Sequence, residues 1–458
     1  MKFISILLCL LALALPLRAA DSVGWRTDGT GLYPGATPAI NWSKEQSVIW
    51  KTPTEHWGNA MPVIVGKRMF VSAEPAALVC LNLDDGRILW QQSVNYLDIL
   101  TPEQQARAAE EIKQADALTA QLTPLQTEAS KVTAELVKTP DNAELKQKQD
   151  ELARQMAEIN EQLKPVSTYQ LPKVMAVCGY TSPTPVSAGS HVWSLHATGI
   201  VACYDLEGKR QWIRLVEKPG GDWGQSSSPL LINGRLLIHI RKTLYALDPK
   251  TGATIWQAEA PGHCGTPALS RIGDLDLIIT PMGDIIRVSD GKVLPAKLSK
   301  LNFNGPLVAG DKVFLTDTKS TVQAFKLVPD ATDGVQAQLL WTTPIKPERY
   351  YASSLFHDGL LYVINAKSLL SVFDAATGEL VYAEKLDFGN GGVVYPSIAL
   401  AGGNLFASHD SGVTVIFKPG RTFQQVAKNV LTPFRATPVF LDKRMYVRAV
   451  DGVWCIGE

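Results

Sequence analysis

The feature that most constrains this chain is a unit of four short β-rich runs that recurs about every 40 residues, apart from one long insertion. Its fullest copy, SSPLLINGRLLIHIRKTLYALDPKTGATIWQAEA, spans residues 227–260, and Asn233-Gly234 supplies a strong hairpin turn within it. Related units begin at residues 61, 184, 265, 304, 353, 395 and 436. Four strands per unit at this period predict an all-β fold, namely an eight-bladed β-propeller of four-stranded antiparallel blades.

The last unit has no fourth strand of its own, because the chain ends at Glu458 soon after VWCIGE. A matching strand sequence, SVIWKTP, occurs near the other end, at residues 47–53. It resembles ATIWQAE, RILWQQS and LLWTTPI, with Trp50 in the tryptophan position. An open ring would expose strand edges. We therefore expect residues 47–53 to complete the eighth blade.

One motif within the unit, Ala-x-Asp-x-x-x-Gly-x-x-x-Trp from Ala246, has two possible roles: a cofactor site or a device that joins repeated sheets. It recurs in CLNLDDGRILW and VFDAATGELVY, and in shorter form in CYDLEGKRQW. A cofactor site is needed once, so recurrence favours a structural role. The acid and the glycine suit a turn, and the large ring suits burial between blades. The predicted docking residues are Trp50, Trp90, Trp212, Trp256, Trp341 and Tyr382.

The chain divides into four predicted segments. Residues 1–20 are typical of a signal peptide, because Ile4–Leu15 is an apolar run of about a dozen residues, too short to span a bilayer. Residues 21–97 hold a lead-in, the ring-closing strand and the first blade; residues 98–165 are an insertion; residues 166–458 hold the other blades. We expect a periplasmic or secreted protein without a transmembrane segment, the alternative being a retained N-terminal anchor.

Charge and cysteine content exclude some classes of protein. Lysine plus arginine and aspartate plus glutamate both number 44, so no net field favours nucleic acid. The cysteines after the predicted signal suggest neither a disulfide framework nor a zinc site. Cys80, Cys203 and Cys455 occupy the small-residue position of the repeat and are predicted to be buried. Cys178 and Cys264 precede glycines in loops, and either remain thiols or pair with each other.

The Ala246–Trp256 motif resembles the tryptophan-docking motif of pyrroloquinoline-quinone (PQQ) repeat propellers. GWRTDGTGLYPG followed by VIWKTP also resembles the start of secreted bacterial PQQ-like repeat proteins. That superfamily includes quinoprotein alcohol dehydrogenases and the non-enzymatic BamB-type propeller of the outer-membrane β-barrel assembly machinery. The dehydrogenases resemble one another in having two adjacent cysteines over the quinone, and this chain has no Cys-Cys pair. The BamB-type propeller is a lipoprotein, whereas no convincing lipid-attachment cysteine occurs here.

The loops between blades are predicted to meet at one mouth of the central channel. In a four-stranded meander these loops share a face, and here they bring together aromatic and charged side chains that suit a binding surface. The alternative is that these rings only pack one blade on the next. A metal shared by His56 and His263 would lack a third ligand. The candidate rim residues are Trp57, Asp222, Trp223, His263, Arg349, Tyr350, Tyr351 and Arg435.

The insertion at residues 98–165 is predicted to form a helical hairpin. Leucines and other apolar residues alternate steps of four and three along two segments, which predicts a coiled-coil contact. Pro140 suits the first turn of the second helix, and Pro124 is expected to kink or restart the first. The hairpin would project from the rim face. It either reaches a protein partner or is simply a solvated pair of helices.

No catalytic motif such as Gly-x-Ser-x-Gly or His-Glu-x-x-His is present. The hypothesis that the sequence favours is therefore an exported, non-enzymatic binding scaffold with a protein partner, related in function to outer-membrane protein assembly. It predicts no catalytic residue, cofactor or metal. Two alternatives stay open: a PQQ-dependent dehydrogenase that uses calcium, and a propeller that binds or cleaves carbohydrate.

Overall fold

The computed structural model describes residues 23–220, 224–262, 264–301, 303–317, 320–332, 334–389 and 391–458. The strands form eight separate sheets, each built on four antiparallel strands. One of these sheets has a fifth strand, Leu32–Tyr33, which is added in parallel. The predicted fold class, an eight-bladed propeller with an inserted helical hairpin, is confirmed. The predicted signal segment, residues 1–20, lies outside the described residues.

We number the blades in chain order and give the four strands of each blade in order from the innermost, at the channel, to the outermost. Blade 1 consists of Val63–Val65, Arg68–Ala73, Ala77–Asn82 and Ile88–Ser93, and blade 2 of Val186–Ser187, His191–Leu195, Ile200–Asp205 and Arg210–Leu215. Blade 3 consists of Leu230–Ile232, Arg235–Ile240, Thr243–Leu247 and Thr254–Glu259, and blade 4 of Ala268–Ile272, Leu275–Ile279, Asp284–Arg287 and Val293–Lys297. Blade 5 consists of Leu307–Ala309, Lys312–Thr316, Thr321–Asp330 and Gly334–Pro344, and blade 6 of Leu355–His357, Leu360–Ile364, Leu369–Asp374 and Leu380–Lys385. Blade 7 consists of Ala399–Ala401, Asn404–Ser408, Val413–Phe417 and Gln425–Val430.

Blade 8 is built from both ends of the chain. Its inner strands are Val439–Leu441, Arg444–Ala449 and Gly452–Ile456, and its outer strand is Val48–Thr52, antiparallel to Gly452–Ile456. Trp50 lies opposite Cys455 in this pairing. The segment that precedes blade 1 in sequence therefore supplies the last strand of the ring, and Gly452–Ile456 has a partner on both sides.

The recurring motif places a small residue opposite a tryptophan. The facing Cα pairs are Cys80–Trp90, Cys203–Trp212, Ala246–Trp256, Ala324–Trp341 and Cys455–Trp50. Next to each pair the register shifts by a bulge, which increases the local twist and turns the indole towards the next blade. Cys80, Cys203 and Cys455 are all buried. They serve as small hydrophobic residues at these positions.

Each of these tryptophans docks on the turn glycine of the following blade. The indole N–H of Trp90 donates to the Leu206 carbonyl at 2.9 Å, and that of Trp256 donates to Val288 at 3.0 Å. Gly208 has φ +88°, and a Cβ there would lie 2.7 Å from the Trp90 ring, so both backbone and space require glycine. The remaining indole bonds run from Trp50 to Leu83, from Trp212 to Pro249 and from Trp341 to Ala375. Tyr382 occupies the equivalent position in blade 6 and packs on Phe423, with ring centroids 6.5 Å apart.

A second set of contacts joins the blades near the channel. In six of the eight blades, the residue two places before the innermost strand is a serine or threonine. Its hydroxyl accepts a hydrogen bond from a backbone N–H of the preceding blade. We call these positions the blade-start residues; in chain order they are Met61, Thr184, Ser228, Thr266, Gly305, Ser353, Ser397 and Thr437. Met61 and Gly305 carry no hydroxyl, so the circle of hydrogen bonds is interrupted there.

Replacing one blade-start hydroxyl is expected to destabilise the ring. The Ser353 Oγ accepts from Gly305 N at 3.2 Å and is buried, so Ser353→Ala leaves that N–H without its partner. We expect a loss of about 1–2 kcal/mol in the free energy of unfolding, measured by urea denaturation. Ser353→Thr is the matched control, because threonine occupies this position in other blades. Equal midpoints for the Ala and Thr variants would contradict the role of the hydroxyl.

The lead-in, residues 23–36, crosses the central channel. The Val23 carbonyl accepts from Ser187 N of blade 2 at 2.8 Å, and Leu32–Tyr33 pairs in parallel with Leu400 and Ala401 of blade 7. Between them the Arg26 guanidinium is fully buried and donates to the Thr30 and Ile398 carbonyls. Burial lowers the pKa of Arg26 to about 10. The lead-in therefore fills the channel with the protein's own chain.

The insertion consists of helix α1, Pro102–Leu136, and helix α2, Ala143–Leu163, flanked by short 3-10 turns at Tyr96–Ile99 and Lys164–Val166. Leu122, Val132 and Leu152 are buried along the predicted seam. Helix α1 continues through Pro124, so it does not restart there. The expectation for Pro140 was wrong, because this residue lies in the turn before Asn142, which caps α2. No helix of the described residues is long and apolar enough to cross a membrane.

The first helix remains continuous at Pro124 because side-chain contacts hold it on both sides. Gln170 donates to the Thr119 Oγ1 at 3.0 Å before the proline, and Gln149 of α2 donates to the Thr133 Oγ1 at 3.3 Å after it. The apolar side chains Leu122 and Val132, one on each side of the proline, are also buried. Tertiary packing thus outweighs the lost backbone hydrogen bond.

Candidate functional site

A cavity of about 190 Å³ lies at the mouth of the channel, above the lead-in. Its floor includes Trp25 of the lead-in, and its lower wall includes seven of the eight blade-start residues. Its upper wall contains the residue two places before every blade start. In chain order these upper-wall residues are Asn59, Ser182, Ser226, Cys264, Phe303, Tyr351, Tyr395 and Arg435. The repeat therefore builds the cavity from two tiers of equivalent positions.

The upper wall is divided into two chemically different halves. Blades 1 to 4 contribute small or polar side chains, whereas blades 5 to 8 contribute three rings and a guanidinium. The Tyr351 ring lies 4.8 Å from Phe303 and 4.9 Å from Tyr395, measured between centroids. The Arg435 guanidinium lies over Trp57 at 5.9 Å, and its Nε has no hydrogen-bond partner among the described residues. The half from blades 5 to 8 can stack on a ring of a ligand, and the half from blades 1 to 4 offers sulfur, amide and hydroxyl groups.

The predicted rim residues occupy several different environments. Arg435 lines the cavity, and Trp57 lies beneath its guanidinium. Arg349 is exposed outside the cavity and donates to the Tyr351 hydroxyl at 3.1 Å. Tyr350 is buried in the core and donates to the Lys346 carbonyl, so it does not reach the cavity. Asp222, Trp223 and His263 lie outside the described residues.

Phe303, Tyr395 and Asn59 line the cavity but are not among the candidate rim residues predicted from the sequence. They could have been found by position, because each lies two residues before a blade start, as Tyr351 and Arg435 do. The floor residue Trp25 carries no such signal, because the lead-in lies outside the repeat. Position in the repeat therefore determines which loop residues line the cavity, whereas aromatic character alone does not.

Two thiols line the polar half of the cavity. Cys178 and Cys264 are not joined by a disulfide in this structure. Burial raises the pKa of Cys264 to about 11, with a smaller contribution from the nearby Cys178. Burial also raises the pKa of Cys178, although the Arg435 charge opposes this. Both groups are therefore protonated at neutral pH.

The described lining does not fit the calcium and quinone that the fold suggests. Calcium takes mainly carboxylate and carbonyl oxygens, and no aspartate or glutamate is among the described residues that line the cavity. Nor do these residues include three or more His, Cys, Asp or Glu side chains grouped as metal ligands. The volume is also below the roughly 300–1,000 Å³ of pockets that hold drug-sized ligands.

A larger groove of about 1,100 Å³ runs between helix α1 and the propeller face, which we call the hairpin groove. Helix α1 contributes Ile112, Asp116, Thr119, Leu122, Thr123 and Gln126 to it. The opposite wall comes from blade 1 and the loops beside it, including Glu55, His56, Tyr96, Tyr169 and Tyr180. The hairpin thus projects from the same face as the channel mouth. The helix side of the groove carries apolar and polar groups, and the propeller side adds aromatic rings.

Glu74 anchors the base of the groove. Its carboxylate accepts from Tyr180 N and from both the N and Oγ1 of Thr181, which fixes the chain that returns from the hairpin. Burial raises the pKa of Glu74 despite these bonds. Arg448 is fully buried nearby and donates to the Thr54 hydroxyl and the His56 carbonyl. The groove therefore has a rigid base on the propeller side.

The sequence matches the family model PQQ_2, described as outer membrane protein assembly factor BamB, over residues 35–145 and 197–456. The chain belongs to this family. No curated protein sequence matches it. As a member of the PQQ_2 family it shares the repeat propeller, and its insertion begins within the first matched range.

Solved structures show the same fold at low sequence identity. BamB from Moraxella catarrhalis is 12% identical with a TM-score of 0.56, covering 89% of this chain and 96% of that one. A europium-containing methanol dehydrogenase is 13% identical with a TM-score of 0.55, covering 93% and 89%. Quinohemoprotein alcohol dehydrogenase from Comamonas testosteroni is 12% identical with a TM-score of 0.53, covering 97% and 81%. These neighbours include BamB and two dehydrogenases, so the likeness establishes the propeller and not the activity.

Proposed function

We propose that this protein is a periplasmic, non-enzymatic scaffold whose protein partner docks in the hairpin groove. The observation that carries the proposal is the contrast between the two concave sites. The groove is about 1,100 Å³ and is open along α1, whereas the mouth cavity is about 190 Å³ and has the lead-in as its floor. A polypeptide segment fits the first site and a small group fits the second. The description of the family as an assembly factor supports the same choice.

The chemistry of the groove suits an extended polypeptide. The lining combines apolar side chains, such as Leu122 and Leu171, with hydroxyl and amide groups, such as Thr123 and Gln126. An extended chain presents apolar side chains and backbone polar groups alternately, and both kinds find partners here. We therefore expect unfolded outer-membrane β-barrel chains to be the relevant class of ligand.

An outer strand offers a second contact surface for the same class of partner. Gly334–Pro344 of blade 5 is the longest outer strand and carries no charged residue. Leu339 and Leu340 on it are 54% and 42% exposed. A long, uncharged edge favours addition of a further strand. This edge would extend the interaction and does not replace the groove.

Filling the groove is expected to weaken partner binding. Thr123→Trp places an indole in the groove, and we expect roughly tenfold weaker binding of a labelled unfolded outer-membrane protein, about 1.4 kcal/mol, by fluorescence anisotropy. Ser130→Trp is the matched control: its hydroxyl also bonds to the carbonyl four residues earlier, but it does not line the groove. Equal affinities for the two variants would exclude the groove as the site.

A direct assay distinguishes the dehydrogenase hypothesis from the scaffold proposal. Purified protein is incubated with PQQ and calcium, and reduction of an electron-accepting dye by alcohols is followed. We expect no turnover above the quinone alone, because the described lining supplies no carboxylate for calcium. Saturable quinone binding with turnover would overturn the scaffold proposal.

A further inference from the structure

Three sulfur-bearing residues from different parts of the ring line the mouth cavity. Cys178 lies in the loop that enters blade 2, Cys264 in the loop that enters blade 4, and Met61 at the start of blade 1. Residues 224–226 lie against both cysteine loops: the Ser226 Oγ donates to the Cys264 carbonyl at 2.7 Å, and a Cβ on Gly224 would lie 3.5 Å from the Gly179 carbonyl.

Backbone contacts hold these sulfur-bearing loops in place. The Asn59 Nδ2 donates to the carbonyls of Val177 and Cys178, both at 2.9 Å, and the Ser182 Oγ donates to the Cys178 carbonyl at 2.7 Å. Met61 is 2% exposed, and its sulfur accepts from Arg26 N at 3.0 Å. The donors are thus carried by segments that are already fixed, so a ligand would not have to order them.

We infer that the polar half of the mouth cavity binds a soft monovalent d10 cation of the Cu(I) class through Cys178 and Cys264, with Met61 as a weaker third donor. Thiolate and thioether ligands select such ions, whereas hard cations need oxygen ligands of a kind that the described lining lacks. This site is independent of the hairpin groove.

Charge balance supports the assignment. Binding replaces two S–H bonds by two metal–sulfur bonds and releases two protons, so a monovalent ion with two thiolates carries one negative charge. The Arg435 guanidinium lines the same cavity and acts electrostatically on Cys178, so it can neutralise that charge. Because both thiols must lose their protons, the affinity is expected to rise with pH.

The test is an anaerobic titration of the reduced, full chain with Cu(I) in competition with a chromophoric Cu(I) chelator. We expect one ion per chain, with thiolate-to-copper absorption in the ultraviolet. Cys178→Ser and Cys264→Ser should each weaken binding at least about 100-fold, and Met61→Leu by roughly tenfold. Met175→Leu is the control, because it removes an exposed sulfur outside the cavity.

A measurement on the unaltered protein keeps the test decisive if a variant fails to fold. Cu(I) should protect Cys178 and Cys264 from alkylation, as mapped by peptide mass spectrometry, and leave the labelling of Cys80, Cys203 and Cys455 unchanged. If Cu(I) leaves the alkylation of the two cavity thiols unchanged, the proposal is wrong. A reduced protein that takes up no Cu(I) and only forms a Cys178–Cys264 disulfide when it is oxidised would also overturn it.

Discussion

A chain that begins at Glu55 is expected to lose cooperative folding, in contrast to one that begins at Val23. The shorter chain lacks Val48–Thr52, so Gly452–Ile456 becomes an unpaired edge although its residues are buried in the full protein. It also loses the Trp50 ring, which packs on Gly86 and donates to the Leu83 carbonyl of blade 1. We expect a broad thermal transition by circular dichroism and aggregation on size exclusion.

The matched control begins at Pro38, which removes the lead-in and keeps the closing strand. It should be destabilised, because Arg26 and Tyr33 are buried in the full chain, but it should still unfold in a single transition. A synthetic peptide of residues 40–54 should restore a sharp transition to the chain that begins at Glu55. If that chain unfolds at the same temperature as the full chain without the peptide, closure by the N-terminal strand is not needed for stability.

Acidification is expected to remove about 3 kcal/mol of stability through His196 alone. This side chain is fully buried in blade 2, its Nε2 lies 3.3 Å from the Ala77 carbonyl, and its Nδ1 has no partner among the described residues. Burial lowers the pKa of His196 from 6.5 to about 4. A tenfold change in proton affinity corresponds to about 1.4 kcal/mol, which gives the figure above.

The direction follows from which state binds the proton first. Between pH 6.5 and about 4 the unfolded chain protonates His196 and the native protein does not, so the stability present above pH 6.5 is lost as the pH falls. Burial also lowers the pKa of His239 and of His409, which adds to the loss, while the raised pKa of Glu74 opposes it. Comparison with a variant therefore isolates the contribution of His196.

The measurement is urea denaturation from pH 7 to pH 4 on the wild type, His196→Gln and His191→Gln. The glutamine at 196 should flatten the dependence on pH by about 3 kcal/mol over this range, although it lowers stability at pH 7. His191, which is half-exposed, is the control, and its variant should follow the wild type. Parallel curves for all three proteins would contradict a buried neutral His196.

The repeat made the propeller predictable because each constraint recurs. A turn glycine in the left-handed region, such as Gly208, faces an indole, such as Trp90, at five of the junctions between blades. The path of residues 23–36 could not be predicted in this way. That segment occurs once, has no strand periodicity, and depends on contacts with Ile398 and Leu400 that are distant in sequence.

The site was less predictable than the fold, because a shift of one residue along a loop decides whether a side chain faces the cavity or the core. Tyr350 and Tyr351 are adjacent and chemically alike, yet one is buried in the core and the other lines the cavity. Only the register of the repeat, counted back from Ser353, distinguishes them. Similarly, residue type alone favoured Trp57, whereas the equivalent position that lines the cavity is Asn59.

Closure by distant partners also determines when this protein can become native. Contacts such as that between the Tyr33 hydroxyl and the Pro438 carbonyl join positions 405 residues apart. A nascent chain therefore lacks its final blade until synthesis is almost complete, and such long-range pairing is slow to form. During that interval the ring has an unpaired edge at both of its ends. Late closure of the ring would therefore suit the periplasmic location that we propose, because the native fold cannot be complete before the last residues are made.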